Sequence, residues 1–534
     1  MRYDTKAPFH ILAALTFVAA CNGDDTATTE SDSATSTATA TATTTSPTST
    51  AGTMTDTAGT STTDDPSGTG TDSATSDSTS TTTGTTTTTS ESESATSDAT
   101  STSGTTAVSA SDTDPGCAQD TDCPDGQVCV DGLCEVPPEC VEDADCGPEQ
   151  HCSGGACLDL CQPGDDMMMG MVEDSYLWVA NTDQGSISKV DTQALTELAR
   201  YRSGPSGGTE SPSRTAVSVD GRFVVVNNRG TGRVTMIAAT LDDCVDKNNN
   251  GMIDTSQNPA DLRPWDADEC TLWSTVLPSE ANVIGAGPRA VTWTLGTWNY
   301  DSCTYEEPKL WVGYRPQAGV AHMAKFDGLT GVVEETVVIS PWAVGDTYWG
   351  PYGAALDKDQ TVWFTGLRGN LYSVETGNNN ALTEYPSPGG SQFYGMTVDP
   401  KGRSWTAGCT GPVYRYDPMD QSWTAVQGTG NSCLRGIGAD REGQIWAASN
   451  GQCGVYQIDA EQASVIQFHA LNPCSTPVGI SVDAEGYVFV VDQNQGAWKI
   501  DPLNPNDKQF LPIANQHYTY SDMTGGQLKG ALPQ

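Results

Sequence analysis

From about residue 174 to the C-terminus, short apolar runs alternate with polar, glycine-bearing turns, and the pattern repeats. An apolar run from Gly353 to Asp357 leads through a turn to Val362, Trp363 and Phe364. The same arrangement returns as Gly395 to Asp399 with Ser404, Trp405 and Thr406, then as Gly436 to Asp440 with Ile445, Trp446 and Ala447. It returns again as Gly479 to Asp483 with Val488, Phe489 and Val490. The four aspartates lie 42, 41 and 43 residues apart. A period near 40 with several strands per unit is the signature of a β-propeller blade. Each unit reads as an inner strand, a turn, a second strand, a third strand such as 454–458, and a more variable fourth such as 464–468. Equivalent second strands around Trp178, Val224 and Trp311 bring the count to seven. The expected fold is therefore all-β, a seven-bladed β-propeller, with the tryptophans packing the blades.

The first unit has no inner strand ahead of Trp178. A spare one lies at the other end of the chain. Residues 517–522 end at Asp522, 39 residues after Asp483 and in phase with the repeat. This C-terminal strand is expected to complete the first blade and close the ring, removing exposed sheet edges.

Ahead of the propeller the pattern changes. Residues 1–20 carry Arg2, Lys6 and an apolar run from Phe9 to Ala20, too short to span a bilayer. Residues 21–116 are mostly Ser, Thr, Ala, Asp and Gly, without aromatic, Lys or Arg from Asn22 onward. Such a stretch cannot bury enough apolar surface to offset the entropy of ordering, and is expected to be a disordered linker. Residues 117–161 form tandem four-cysteine modules. Cys117, Cys123, Cys129 and Cys134 are matched in spacing by Cys140, Cys146, Cys152 and Cys157. Two disulfides per module are expected in an oxidising compartment, with the pairing left open. Residues 162–173 are a linker, and 174–534 the propeller, with an insertion at 242–270.

Within the propeller, three disulfide pairs are expected. Cys409 with Cys433 and Cys453 with Cys474 sit at matched places on neighbouring units, and Cys244 with Cys270 brackets the insertion. Cys161 and Cys303 are left over and could join the modules to the propeller.

Charge narrows the partners. The formal net charge is −43, which excludes a basic nucleic-acid footprint. Even so, Arg214, Arg289, Tyr352, Tyr394, Arg435 and His517 fall at nearly equivalent places at the start of inner strands. They could form a basic and aromatic ring at one channel mouth, in a region carrying 42 Asp/Glu against 23 Lys/Arg from residue 162 onward. A focused positive patch in an acidic body attracts an anionic group. The competing reading is that these side chains pair with neighbouring acids. No Ser-His-Asp set, phosphate loop or zinc motif appears.

Several segments resemble known families. Val18, Ala19, Ala20 and Cys21 resemble the lipobox of bacterial lipoproteins, which implies lipidation of Cys21 and attachment to a membrane. Asn22 after the cysteine implies outer-membrane sorting, with the protein facing the cell surface or periplasm. The cysteine modules resemble Dickkopf N-terminal-type repeats of myxobacterial surface lipoproteins, which implies a spacer or protein-binding role. Asp246, Asn248, Asn250, Met252 and Asp254, around Gly251, resemble the calcium loops of EF-hand and dockerin type. That implies a structural Ca2+ held by side-chain oxygens and the Met252 carbonyl. Gln257 stands where such loops carry a bidentate Glu; Asp261, Asp266, Asp268 or Glu269 could substitute. The other reading is an Asn-rich turn that binds nothing.

The run from Gly350 to Asp357, with Val362 to Thr365 and Gly369 to Ser373, resembles the streptogramin lyase (virginiamycin B lyase) type of propeller. The resemblance implies elimination chemistry with a His base, an acidic partner and magnesium. The pattern departs at Gly366, where that family often carries Glu. His322, His469 and His517 lie outside its His-bearing motif, and an elimination needs a base within reach of the abstracted proton. Two functions therefore stand. The first is a monomeric, surface-displayed module binding a peptide, glycan or other anionic ligand. The second is a lyase or hydrolase acting at the channel mouth.

Overall fold

The structure, a computed structural model, describes residues 117–124, 127–147, 150–159, 175–299, 302, 304–342, 348–389, 392–430 and 432–530. Cys21, the Ser/Thr-rich linker, Cys161 and Cys303 lie outside the described residues. No helix among the described residues is long and apolar enough to cross a membrane.

Residues 175–530 form a seven-bladed β-propeller. Blades 2 to 7 are four-stranded antiparallel sheets whose inner strands are Pro212–Val217, Val291–Trp293, Pro351–Leu356, Gly395–Val398, Leu434–Ala439 and Pro477–Val482. Burial grades outward along each blade. Every residue of Pro212–Val217, Phe223–Asn228, Pro351–Leu356 and Pro477–Val482 is buried, because neighbouring blades cover both faces. The outer strand Ala381–Tyr385 instead alternates half-buried with exposed positions. Continuous Val/Ile/Leu runs inside and alternating runs outside are the sequence consequence.

The repeated Asp and Trp serve one another. In blade 4 the Trp363 Nε1 donates to Asp357 Oδ2 at 2.8 Å. Trp405 and Asp399 repeat this at 2.9 Å, and Trp446 and Asp440 at 2.8 Å. The other carboxylate oxygen accepts backbone N–H groups of the intervening turn, as Asp357 Oδ1 does from Asp359 and Thr361, both at 2.9 Å. One carboxylate thus fixes a turn and orients a buried indole. Glycine at the head of the motif has an equally local cause. A Cβ on Gly395 would collide with the Arg435 carbonyl, and one on Gly436 with the Val478 carbonyl, because inner strands approach most closely there.

The ring closes through the C-terminal segment. Blade 1 has three regular strands, Tyr176–Asn181, Ser186–Asp191 and Thr196–Arg202. The place of its inner strand is taken by residues 516–523. Trp178 N donates to Met523 O at 3.0 Å and Thr182 N to Gln516 O at 2.7 Å, while Asn181 and His517 pair as an isolated bridge. His517 N also donates to Gln493 O of blade 7 at 2.7 Å, so the segment ties the last blade to the first. Lys499 adds a second tie, donating to Thr192 O at 2.7 Å. The closing segment is less regular than a strand. It then turns at Asp522, whose carboxylate accepts the Gly525 and Leu528 N–H groups at 2.8 and 3.2 Å. Leu528 of the short helix Gly526–Lys529 enters the core shared with blades 2 to 4.

The insertion at 242–270 joins the third and fourth strands of blade 2, and Cys244–Cys270 closes its neck. Cys409–Cys433 and Cys453–Cys474 are also joined. Each cysteine module is a small two-stranded unit with the same pairing, first to third and second to fourth. These are Cys117–Cys129 with Cys123–Cys134, and Cys140–Cys152 with Cys146–Cys157. The repeated aspartate explains the shared motif. Asp122 Oδ2 accepts the N–H groups of Ala118 and Gln119, and Asp145 Oδ2 those of Val141 and Glu142.

Two stability predictions follow from the closing segment and the buried carboxylates. Ending the chain before His517 strips buried Tyr518, Tyr520, Met523 and Leu528 from the ring. At roughly 1.5–3 kcal/mol per large apolar side chain, the melting temperature should fall by about 10 °C or more. An unchanged melt would show the segment to be dispensable. Blade 7 carries Phe489 where blades 4 to 6 carry the Trp that donates to the aspartate, so Asp483 Oδ2 has no hydrogen-bond partner. Burial first, and then the Glu485 carboxylate, push Asp483 up to about 7. Burial likewise raises Asp440 and Asp522 to about 6. A carboxyl that titrates higher in the folded state holds its proton more tightly there, so stability falls as pH rises from about 4 to 7. Asp483→Asn should reduce the loss between pH 4.5 and pH 8 by about 1–3 kcal/mol, read from denaturant melts at both values. The same pH dependence in both proteins would refute this.

Candidate functional site

The inner strands of blades 2, 4, 6 and 7 share a register irregularity at their first residues: between Pro212 and Arg214, Pro351 and Gly353, Leu434 and Ile437, and Pro477 and Gly479. A bulge leaves one residue unpaired and re-aims its side chain. Tyr352 and Val478 are such unpaired residues, and Arg435 falls inside the irregular stretch of blade 6.

The result is an aromatic cluster crossed by arginines. Tyr352, Tyr394, Tyr518 and Tyr520 are all buried and pack together. The Tyr394 and Tyr520 ring centroids lie 4.9 Å apart, and those of Tyr352 and Tyr394 5.2 Å apart. Their hydroxyls meet. Tyr352 Oη lies 3.0 Å from Tyr518 Oη, Tyr520 Oη donates to Tyr352 Oη at 3.2 Å, and Tyr394 Oη donates to Tyr518 Oη. Burial pushes Tyr394 and Tyr520 well above the ordinary phenol range, so these hydroxyls stay neutral.

Four guanidinium groups lie against these rings. Arg214 packs over Tyr520, with its Cζ 4.9 Å from the Tyr352 centroid. Arg229 lies 4.3 Å over Tyr518 and Arg435 5.2 Å over Tyr394. Arg289 lies 4.8 Å over Trp349 and 5.4 Å over Tyr352. Such cation–π contacts are strongest away from water. Arg214 and Arg289 are fully buried, so these residues fill the channel rather than rim an open mouth. Arg289 Nη1 donates to Ile284 O at 2.8 Å and Arg229 Nε to Ser211 Oγ at 2.9 Å. Arg214 Nη1 donates to Ser213 O at 3.2 Å, while its Nε and Nη2 have no hydrogen-bond partner.

Of the six residues expected at the channel, Arg214, Arg289, Tyr352, Tyr394 and Arg435 come together. His517 does not. Its Nδ1 lies 3.0 Å from Asn181 Oδ1 and its Nε2 3.0 Å from Ile513 O, at the joint between the first and last blades. Burial drives its pKa down to about 4, so the ring is neutral at physiological pH. The repeat phase points to position 517, but the closing segment presents 518 and 520 instead. A one-residue offset in an extended segment exchanges its faces. The alternation of Tyr518 and Tyr520 was the available signal. Arg229 and Trp349 belong to turns outside the repeat and carried none.

The other two propeller histidines also serve the blades. His322 Nδ1 lies 2.9 Å from Tyr314 Oη in blade 3. His469 stacks on Trp446, with Nε2 2.8 Å from Gln457 Oε1 in blade 6. Neither contacts the arginine–tyrosine cluster.

In the insertion, the candidate calcium ligands converge on one another. Asn248 Nδ2 and Asn250 Nδ2 both donate to Asp254 Oδ2, at 2.9 and 2.8 Å, and Asp246 Oδ2 accepts from Gly251 N at 2.8 Å. Gly251 takes φ +83°, the left-handed turn such loops need. These Asn amides and Arg263 hold Asp254 below the usual carboxylate range. Oxygen-bearing side chains at alternate positions around a glycine turn fit a hard cation. Three of the proposed substitutes for the missing Glu are engaged elsewhere. Glu269 accepts the N–H groups of Lys247 and Asp254, Asp268 those of Ser256 and Cys270, and Asp261 that of Gln257. Glu269 thus anchors the loop backbone.

The fold and the cluster define a β-propeller with a cationic, aromatic centre. No protein-family model matches the chain, and no curated protein matches it in sequence. Solved structures similar to it include a streptogramin B lyase at 16% identity, with a TM-score of 0.42 over 59% of this chain and 86% of that one. Virginiamycin B lyase from Staphylococcus aureus is similar at 13% identity, with a TM-score of 0.42 over 60% and 93% of the two chains. AztD from Citrobacter koseri is similar at 12% identity, with a TM-score of 0.42 over 65% and 97%. Likenesses this distant assign no activity to the cluster.

Proposed function

We propose that this chain is a lipoprotein, anchored to the outer membrane through Cys21, whose propeller binds a peptide, glycan or other anionic ligand at the arginine–tyrosine cluster. The supporting observation is the convergence of Arg214, Arg229, Arg289 and Arg435 on four tyrosines in an otherwise acidic protein. Positive charge concentrated in a low-dielectric centre attracts an anion that the surrounding surface repels. The linker and cysteine modules serve in this reading as a spacer that carries the propeller away from the membrane. Elimination chemistry of the streptogramin lyase type is the alternative, and the engagement of His322, His469 and His517 in blade contacts favours binding.

The test is a screen of the full chain on peptide and glycan arrays, repeated with Arg289→Met/Arg435→Met and with the Lys-for-Arg pair. The Met pair should weaken any ligand by at least about tenfold, equivalent to ~1.4 kcal/mol, and the Lys pair by less. Binding unchanged in both would overturn the reading.

The insertion loop is read as a structural Ca2+ site formed by Asp246, Asn248, Asn250, the Met252 carbonyl and Asp254. Millimolar Ca2+ should raise the melting temperature of the chain, and Asp246→Asn/Asp254→Asn should abolish that rise while the metal-free melt stays within a few degrees. A calcium-independent melt and no heat of binding would leave the loop as a plain turn.

A further inference from the structure

Arg214 carries the most specific information in the cluster. Its side chain is fully buried, and among the described residues it makes no ion pair. One nitrogen, Nη1, is satisfied by the Ser213 carbonyl at 3.2 Å. The two left without a partner are Nε and Nη2. These share one edge of the guanidinium. Their N–H bonds run nearly parallel, at the separation of two carboxylate oxygens, and form the fork that receives a carboxylate side-on. A buried donor without a partner is strongly unfavourable, and a buried cation more so.

The surroundings restrict what could meet this fork. Aromatic rings crowd the guanidinium, with Tyr520 packed against it and the Tyr352 centroid 4.9 Å from Cζ. An occupant that satisfies both donors has to meet Nε and Nη2 together, as a planar carboxylate does. The tyrosine hydroxyls nearby already bond to one another. The two donors of this one edge match the two oxygens of a carboxylate and leave the further oxygens of phosphate or sulfate unmet by Arg214. An aromatic run also links the fork to the surface. Tyr352 packs edge-on to Trp349 at 5.7 Å, and Trp349 to the exposed Tyr348 at 4.7 Å. Such walls favour a flat, apolar body behind the charge.

We infer that the Nε/Nη2 edge of Arg214 is a carboxylate subsite, and that the ligand is a monocarboxylate borne on a flat apolar group. This rests on the reading of the cluster as a ligand site and names the chemistry it selects.

The experiment titrates the full chain at low ionic strength with benzoate, acetate and inorganic phosphate. Binding is followed by tyrosine and tryptophan fluorescence and by the melting temperature. Benzoate should bind, raise the melting temperature and outcompete acetate, and phosphate should do neither. Arg214→Lys keeps the charge but lacks the fork, and should weaken benzoate at least tenfold with the far-UV spectrum retained. Should that variant fail to fold, the ligand dependence of the wild-type melt decides by itself. No benzoate binding, equal binding by Arg214→Lys, or a preference for phosphate would overturn the subsite. If an array ligand still depended on Arg289 and Arg435 in that case, only the subsite would fall. If it did not, the cluster reading would fall with it.

Discussion

The hydrogen bonds between the C-terminal segment and Trp178, Thr182 and Gln493 join the two ends of the propeller, and the rest of the ring depends on them. A ring of sheets is stable only if no blade is left with an open inner edge. Blade 1 cannot supply its own, so the last residues of the domain must return to the first. The same segment performs a second task. It delivers Tyr518 and Tyr520 to the centre, where they complete the aromatic cluster. Closure and the candidate site are therefore a single structural event, and the site exists only in the closed ring.

The interior of this propeller holds many polar side chains. Aspartates at the turns are buried, yet most are satisfied by a Trp indole and by turn backbone, so desolvation is offset locally. Arg214 at the centre is held differently, against the Tyr520 and Tyr352 rings and by the Ser213 carbonyl. A carboxylate partner would neutralise Arg214 and remove its capacity to attract an anion. Ring faces stabilise the cation without neutralising it. This difference separates the structural charges of the turns from the charge of Arg214.

Disulfides mark the places where packing is thinnest. The cysteine modules have few buried side chains, and two cross-links per unit replace a core. In the propeller, Cys244–Cys270 closes the neck of the long insertion, where strand pairing is interrupted. Glu269 then anchors the loop beyond the neck through its backbone N–H groups.

What the sequence determined by itself was whatever repeats locally. The Asp and Trp of blades 4 to 6 are six residues apart, and their pairing needs only a turn between two strands, so the period revealed the blade count and the role of the tryptophans. The positions of Arg214, Arg289, Tyr352, Tyr394 and Arg435 at the strand starts followed from the same phase. Only the tertiary structure decided which face the closing segment turns inward. That segment pairs through an isolated bridge rather than a regular ladder, so Tyr518 and Tyr520 face the centre and His517 faces the joint. Arg229 and Trp349, lying in turns with no periodic signal, were brought to the cluster by the curvature of the ring. The pairing within the cysteine modules was likewise fixed by folding, since equal spacing fits more than one connectivity.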